Sequence, residues 1–274
     1  MGGGRRFGWV VVFISLTILA SLLVIGTEEI PPPSEFVFWI ALLLVVEFLP
    51  VSLGFGTVVT MGFPIAVTVE ILYEPAIAMA IVGVSAFDNR ELRGEIPPWR
   101  ALFNRAQLML AAGAASGIIH AHGDPIFSFP VGATFIALAA ISDQVVNLGL
   151  VVMMIWRDQG IPLIDALRRI HPKPVSGFLV SQAVLAALGA ATAAAYDGIG
   201  PFVAAFLIPL LFARLSLLGA RAQQELSERV QKQQEALLAA TEKVFEERER
   251  ERKRIAEDIH DSSLQMLAAA TYGT

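Results

Sequence analysis

Apolar runs of about twenty residues recur through the first 220 residues of this chain, and they restrict its fold more than any other feature. A bilayer core is about 30 Å thick, so a helix that crosses it needs around 20 apolar residues. Runs of that kind lie at about 9–25, 36–53, 101–120, 131–156, 175–196 and 201–220. The stretch 57–87 is too long for one helix and is interrupted at Tyr73, Glu74 and Pro75, where proline ends or kinks a helix. It reads as two short spans, about 58–73 and 75–88, or as a re-entrant pair. The expectation is an all-α, polytopic membrane protein with an even number of crossings, six or eight. Charged residues make up 16% of the chain, whereas a soluble domain has roughly a quarter, so a single soluble globule is excluded. The absence of cysteine excludes disulfide frameworks, thiolate metal sites and cysteine nucleophiles.

Charge placement orients the spans. With Arg5 and Arg6 in the cytoplasm, an eight-span walk puts Arg90, Arg93, Arg100, Arg105, Arg157, Arg168, Arg169, Lys173 and Arg214 on the cytoplasmic side. The outer loops receive Glu28, Glu29, Glu35, Glu74, Asp124 and Asp197, and no lysine or arginine. This is the positive-inside pattern, with both termini cytoplasmic and a plasma-membrane location. A cleaved signal peptide is disfavoured, because Gly26, Thr27 and Glu28 make a poor cleavage site and more spans follow. The outer loops are too short for a folded external sensor domain. The inner segment Pro162 to Ile170 is a short amphipathic stretch with basic residues, which either lies on the inner leaflet or is a solvated connector.

Several polar groups fall inside apolar runs: Glu47, Glu70, Asp143, Gln144, Asn147, Gln182 and Arg214. An ionisable group in hydrocarbon is costly unless paired, so such groups face the bundle interior. Asp143 and Asn147 share a helix face, and Arg214 sits at a depth where it can pair with Asp143. Glu47, Asp143, Asn147 and Arg214 are therefore the candidate intramembrane site, read either as an interhelical polar clamp or as a signal-sensing or ion-binding pocket. Asn104, Arg105 and Gln107 are expected to snorkel at the cytoplasmic mouth. His120 and His122 are spaced as a metal pair would be but read as solvated loop residues, and no metal is expected.

From Arg221 onward the chain is charged, rich in glutamine and free of proline. Leu226, Val230, Gln233, Leu237, Ala240 and Val244 step by four and three, the seam of a two-stranded coiled coil. A second seam runs through Thr241, Phe245, Arg248, Arg252, Ile255, Ile259, Ser262 and Met266, offset from the first by one residue. Such discontinuities change the winding of a coiled coil locally. The alternating charges of 246–254 nearly cancel, which argues against direct nucleic-acid binding. The boundaries that follow are a membrane domain over 1–220, a signalling coiled coil over 221–247, and the start of a phosphotransfer domain over 248–274.

That last assignment rests on one string. Residues 251–267 read Glu-Arg-Lys-Arg-Ile-Ala-Glu-Asp-Ile-His-Asp-Ser-Ser-Leu-Gln-Met-Leu. The segment resembles the phosphoacceptor helix of sensor histidine kinases of the nitrate/nitrite-sensor type: a charged run, Arg-Ile-Ala, an aliphatic residue, His-Asp, then three residues and Gln. The resemblance covers about 25 residues. It implies that His260 accepts the γ-phosphoryl group of ATP, and that Asp261 hydrogen-bonds the ring as base and orienter. It also implies that Gln265, one turn after Asp261, positions water when the phosphorylated regulator is dephosphorylated. The implied partners are a second copy of the chain, paired through 221–274, and a response regulator with a helix-turn-helix output domain, in a bacterial membrane.

ATP and its magnesium belong to a domain that 1–274 does not contain, since no asparagine box, glycine-rich lid or P-loop occurs in it. The chain is expected to be a fragment of a longer kinase or a naturally short sensor, inactive by itself. The resulting expectation is the membrane input of a two-component histidine kinase. Two alternatives stand beside it: a transporter or channel with a cytoplasmic coiled coil, and a catalytically empty regulator that dimerises with a complete kinase. No internal repeat of hydropathy favours the transporter.

Overall fold

The computed structural model describes residues 3–26, 30–47, 51–52, 58–59, 62–87, 89–122, 127, 130–170, 175–206, 224, 226–238, 240–245 and 247–255. The chain divides into two units, Met1–Leu210 and Leu211–Thr274.

The described residues of the first unit are mostly helical, with one minimal antiparallel strand pair. Its elements in order are α1 (Gly3–Ile25), α2 (Pro33–Glu47), β1 (Val51–Ser52), β2 (Val58–Val59), α3 (Gly62–Leu72), α4 (Pro75–Ser85), α5 (Asn89–Leu92), α6 (Pro98–His122), α7 (Val131–Gln159), α8 (Leu163–Ile170), α9 (Val175–Ile199) and a 3-10 helix (Gly200–Phe206). Among the described residues three helical stretches are long and apolar enough to cross a membrane: Gly3–Ile25, Val131–Gln159 and Gln182–Ala205. Their outer faces carry Phe13, Val24, Ile141, Val145 and Val184 in the open, while Glu70, Asp143, Thr68 and Ser85 are buried. Apolar outside and polar inside reverses the ordinary soluble pattern. Such a surface fits a hydrocarbon solvent.

The central part of the bundle departs from the sequence expectation. The run at 36–53 does not form one span: α2 stops at Glu47, and Val51–Ser52 pairs with Val58–Val59. With 15 residues, α2 is about 22 Å long, short of a hydrocarbon core. The expected spans 58–73 and 75–88 are α3 and α4, each with 11 residues and about 16 Å long. Shielded by longer neighbours, these two contribute many of the most deeply buried side chains, among them Val69, Met79 and Ile81. The last expected span, 201–220, opens as the 3-10 helix Gly200–Phe206, and the rest of it lies outside the described residues.

Helix α6 is the axis on which α1, α3, α4 and α7 pack. Small residues let α4 approach it closely and antiparallel: a Cβ on Gly113 would meet Met79, one on Gly83 would meet Met109, and Gly117 faces Pro75. This is how helices associate in lipid, where close packing rather than water exclusion drives contact. Helices α1 and α7 run antiparallel. Gly3 and Gly4 lie against Arg157 and Asp158, and Gly8 lies against Met154 and Trp99. The same end of the bundle holds the Arg100–Asp158 ion pair at 2.7 Å and the Arg105–Glu91 pair at 2.6 Å. Arg105 also donates through Nε to the Ala86 carbonyl at 3.1 Å and lies over the Phe87 ring.

Gly160, at φ +69°, ends α7 in the left-handed region, with its N–H on the Trp156 carbonyl. The short amphipathic stretch then forms α8, whose Arg169 donates back to Gln159 at 3.1 Å. His120 and His122, expected in a loop, instead lie in the last turn of α6.

In the second unit the described residues between Gln224 and Ile255 are helical. Leu226, Val230, Leu237, Val244, Phe245 and Ile255 are exposed along it.

Candidate functional site

Two carboxyl groups meet inside the bundle. Glu70 stands on α3, fully buried, and Asp143 on α7 is 5% exposed. The two side chains are immediate neighbours. Asp143 takes one hydrogen bond from an amide, Gln144 Nε2 to Oδ2 at 3.2 Å. Glu70 takes none: both carboxyl oxygens are sealed from solvent and receive no hydrogen bond from a protein donor. Asp143 lies about 18 Å along α7 from its start, well inside the helix.

The surrounding elements explain how Glu70 comes to be there. Glycine at 189 lets α9 press against α3, where a Cβ would fall 2.5 Å from the Pro64 carbonyl oxygen. The Thr68 hydroxyl lies between the carbonyls of Pro64, at 2.8 Å, and Gly189, at 3.0 Å. Val67 and Ile71, flanking Glu70 on α3, pack with Ala115 and Ile119 of α6, Ala139 of α7 and Ala193 of α9. These small partners bring the backbones together, and α3 then presents its single acid to α7.

A second polar cluster lies at the end of the bundle remote from the arginines. Trp39 Nε1 donates to the Tyr73 hydroxyl at 2.9 Å, and the Tyr73 hydroxyl donates to Glu35 Oε2 at 2.9 Å. Phe38 and Tyr196 pack their rings against this relay. Nearby, Ser116 Oγ donates to the Tyr73 carbonyl at 2.7 Å and stands 3.2 Å from His120 Nδ1. These bonds join α2, the α3–α4 corner and α6. With the rings closed on one another, the cluster is a structural clasp.

The residues named from the sequence are not gathered in one place. Glu47 closes α2 and lies against Gly62, the first residue of α3, where a helix N-terminus favours a negative charge. It is about 12 Å along α3 from Glu70. Asn147 is half-buried one turn from Asp143, and no hydrogen bond joins the two. Arg214, His260, Asp261 and Gln265 lie outside the described residues. Among the described residues the polar groups that interact with Asp143 are Glu70 and Gln144. Glu70 was visible as an acid in an apolar run, but nothing in the sequence pairs position 70 with position 143.

A groove of about 560 Å³ among α1, α4, α6 and α7 is lined by apolar groups such as Ile18, Met79, Leu110 and Val146. It has no polar side chain to orient a ligand. Among the described residues no three His, Asp or Glu side chains are grouped as a metal site would require. Comparison with protein-family models, with curated proteins and with solved structures yields no match for this chain.

Proposed function

We propose that this chain is the membrane-embedded input and the first part of the phosphotransfer helix of a sensor histidine kinase. The observation that carries the proposal is the string from Arg254 to Gln265, with His260 followed by Asp261 and, one turn later, by Gln265. A neutral imidazole is a nucleophile at physiological pH. A ring nitrogen of His260 attacks the γ-phosphorus of ATP, ADP departs, and the phosphoryl group passes on to an aspartate of a response regulator. The nucleotide fold this reaction needs has no counterpart within 1–274. ATP therefore reaches His260 on a domain from outside these residues.

The helical character of 224–255 and its open apolar stripe support pairing of two copies through a coiled coil. The concentration of arginine at one end of the bundle supports a multi-pass arrangement with that end, and both termini, in the cytoplasm. In this reading the six or eight crossings include the short helices α3 and α4, held by α6 and α9.

The test uses the full chain in lipid nanodiscs with radiolabelled ATP and a purified ATP-binding domain from a kinase of this type, supplied in trans. Acid-labile label is expected on the wild type and none on His260→Gln. Label that survives His260→Gln, or a wild type that takes none while a bona fide phosphoacceptor helix is labelled in parallel, overturns the proposal.

A second reading, a proton-coupled transporter with a helical tail, is favoured by the buried carboxyl pair, since intramembrane acids mark ion pathways. Proton flux in proteoliposomes that Glu70→Gln abolishes would favour it over the sensor.

A further inference from the structure

The Glu70–Asp143 pair has no evident structural purpose. A clasp between α3 and α7 would work better with apolar residues of the same size, because a buried charge without a donor or counter-ion is strongly unfavourable. Each carboxylate oxygen is an acceptor only, so two ionised carboxylates have nothing to offer one another. One proton changes this: a protonated carboxyl donates, its neighbour accepts, and the pair becomes a single hydrogen-bonded unit with one negative charge fewer. Like-charged carboxyls at contact distance share a proton for this reason.

Among the described residues the ordinary alternative, a basic partner, is absent. Helix α4 has no titratable side chain and α1 carries only Arg5 and Arg6, in its first turn. On α6, Arg100 and Arg105 are engaged at the far end with Asp158 and Glu91, and His120 bonds Ser116. On α2, Glu35 accepts from Tyr73 and Glu47 lies by Gly62. On α7, Arg157 stacks on Trp156 at the helix end. On α9, Tyr196 belongs to the aromatic clasp and Asp197 follows it. Arg168 and Asp165 of α8 face each other. Among the described residues the charged group beside Glu70 is Asp143 alone. A dehydrated metal cation would need about six oxygens, more than these two side chains supply.

We infer that Glu70 and Asp143 form a proton-binding site inside the bundle, and that its occupancy sets the spacing of α3 and α7. With the proton bound the two carboxyls draw together. With it released, two like charges separated by a few ångströms in a poorly screening medium drive α3 away from α7. The inference goes beyond the kinase reading and does not depend on it, since proton binding at this pair is a property of unit Met1–Leu210.

The test is infrared difference spectroscopy of the full chain in nanodiscs, following the carbonyl stretch of a protonated carboxyl. At neutral pH the wild type is expected to show that band, with a shift in deuterated buffer. It should be lost at alkaline pH and lost separately in Glu70→Gln and in Asp143→Asn, both of which keep the side-chain shape. Helical circular dichroism verifies the folding of each variant, and the two positions serve as independent tests. Absence of the band in the neutral wild type, or its persistence in both folded variants, overturns the inference. A sodium arm distinguishes the occupants: loss of the band when sodium replaces choline at constant pH and ionic strength would make this a metal-cation site and would also overturn it.

Discussion

At residue scale, the closest backbone approach is at Gly189, and it can be tested against a glycine that has no neighbour. A methyl at 189 would press on the Pro64 carbonyl oxygen and on Val67 Cβ at 2.8 Å, so Gly189→Ala must push α9 from α3. Overpacking of this kind costs about 1–3 kcal/mol. Gly149 on α7 has nothing within 4 Å, so Gly149→Ala should be neutral or gain about 0.5–1 kcal/mol from helix propensity. Unfolding in mixed micelles should therefore move in opposite directions for the two, and a stable Gly189→Ala would mean the α3–α9 contact is looser than described. Tyr73→Phe is a second case. It leaves the Trp39 indole N–H, fully buried, without its acceptor and Glu35 without its donor. An unsatisfied buried polar group costs about 1–3 kcal/mol, so the same assay should show Tyr73→Phe destabilised to that degree. Unchanged stability would show that the clasp rests on ring packing alone. The polar residues themselves were plain in the sequence, because acids and amides stand out in apolar runs. Their partners were not: which face of α3 meets α7 is decided by small residues at 115, 139 and 193, and no local pattern records that choice.

At the scale of elements, long apolar runs were legible, and so was the break at Pro75 that separates α3 from α4. Helices α1 and α7 lie where their runs do, since about twenty apolar residues without proline have no other way to satisfy their backbone in lipid. The run at 36–53 differs from its expectation because hydropathy does not distinguish one long helix from a shorter helix followed by a strand. Helix α8 shows the opposite, a short element legible from amphipathicity alone. Leu163, Ile164, Leu167 and Ile170 share one side, Leu163 and Ile164 are exposed, and Arg168 and Arg169 lie toward its end. A helix of this pattern is expected to rest on an anionic leaflet, each basic residue adding about 1 kcal/mol. The chain has no cysteine, so an environment-sensitive dye at Ile164→Cys reports on this site alone. Its emission should be blue-shifted in nanodiscs rich in phosphatidylserine and should move toward the aqueous value in an Arg168→Gln, Arg169→Gln background. Aqueous emission in both backgrounds would make α8 a solvated connector.

At the scale of the whole molecule, the same lack of cysteine makes arrangement testable. Impermeant maleimide on intact cells should label Phe127→Cys and spare Arg93→Cys; the reverse would invert the bundle. The tail admits a sharper experiment. No proline follows Pro209, so the sequence from Leu210 onward holds no proline to break a helix leading toward His260. The tail's two apolar seams are out of step by one residue near Ala240, which gives a paired helix two packings, one closing Val244 and one closing Phe245. Deleting Thr241 moves Phe245, Arg248, Arg252, Ile255 and Ile259 back by one position, onto the first seam and its continuation beyond Ala240. One unbroken heptad results, and Val244 leaves it. In the unaltered tail, single cysteines at Val244 and at Phe245 should each form a disulfide between two copies, because each occupies the seam in one packing and a disulfide needs Cβ atoms about 3.5–4.5 Å apart. In the Thr241 deletion only the cysteine replacing Phe245 should cross-link, with Val244→Cys reduced about tenfold. Insertion of seven residues after Ala240 restores phase and should leave both cross-links in place. A tail that is merely a spacer has one packing, so in the unaltered tail only one of the two cysteines would cross-link. Equal yields at Val244→Cys in both backgrounds would therefore remove the two-state tail, and with it the proposed route from the bundle to His260.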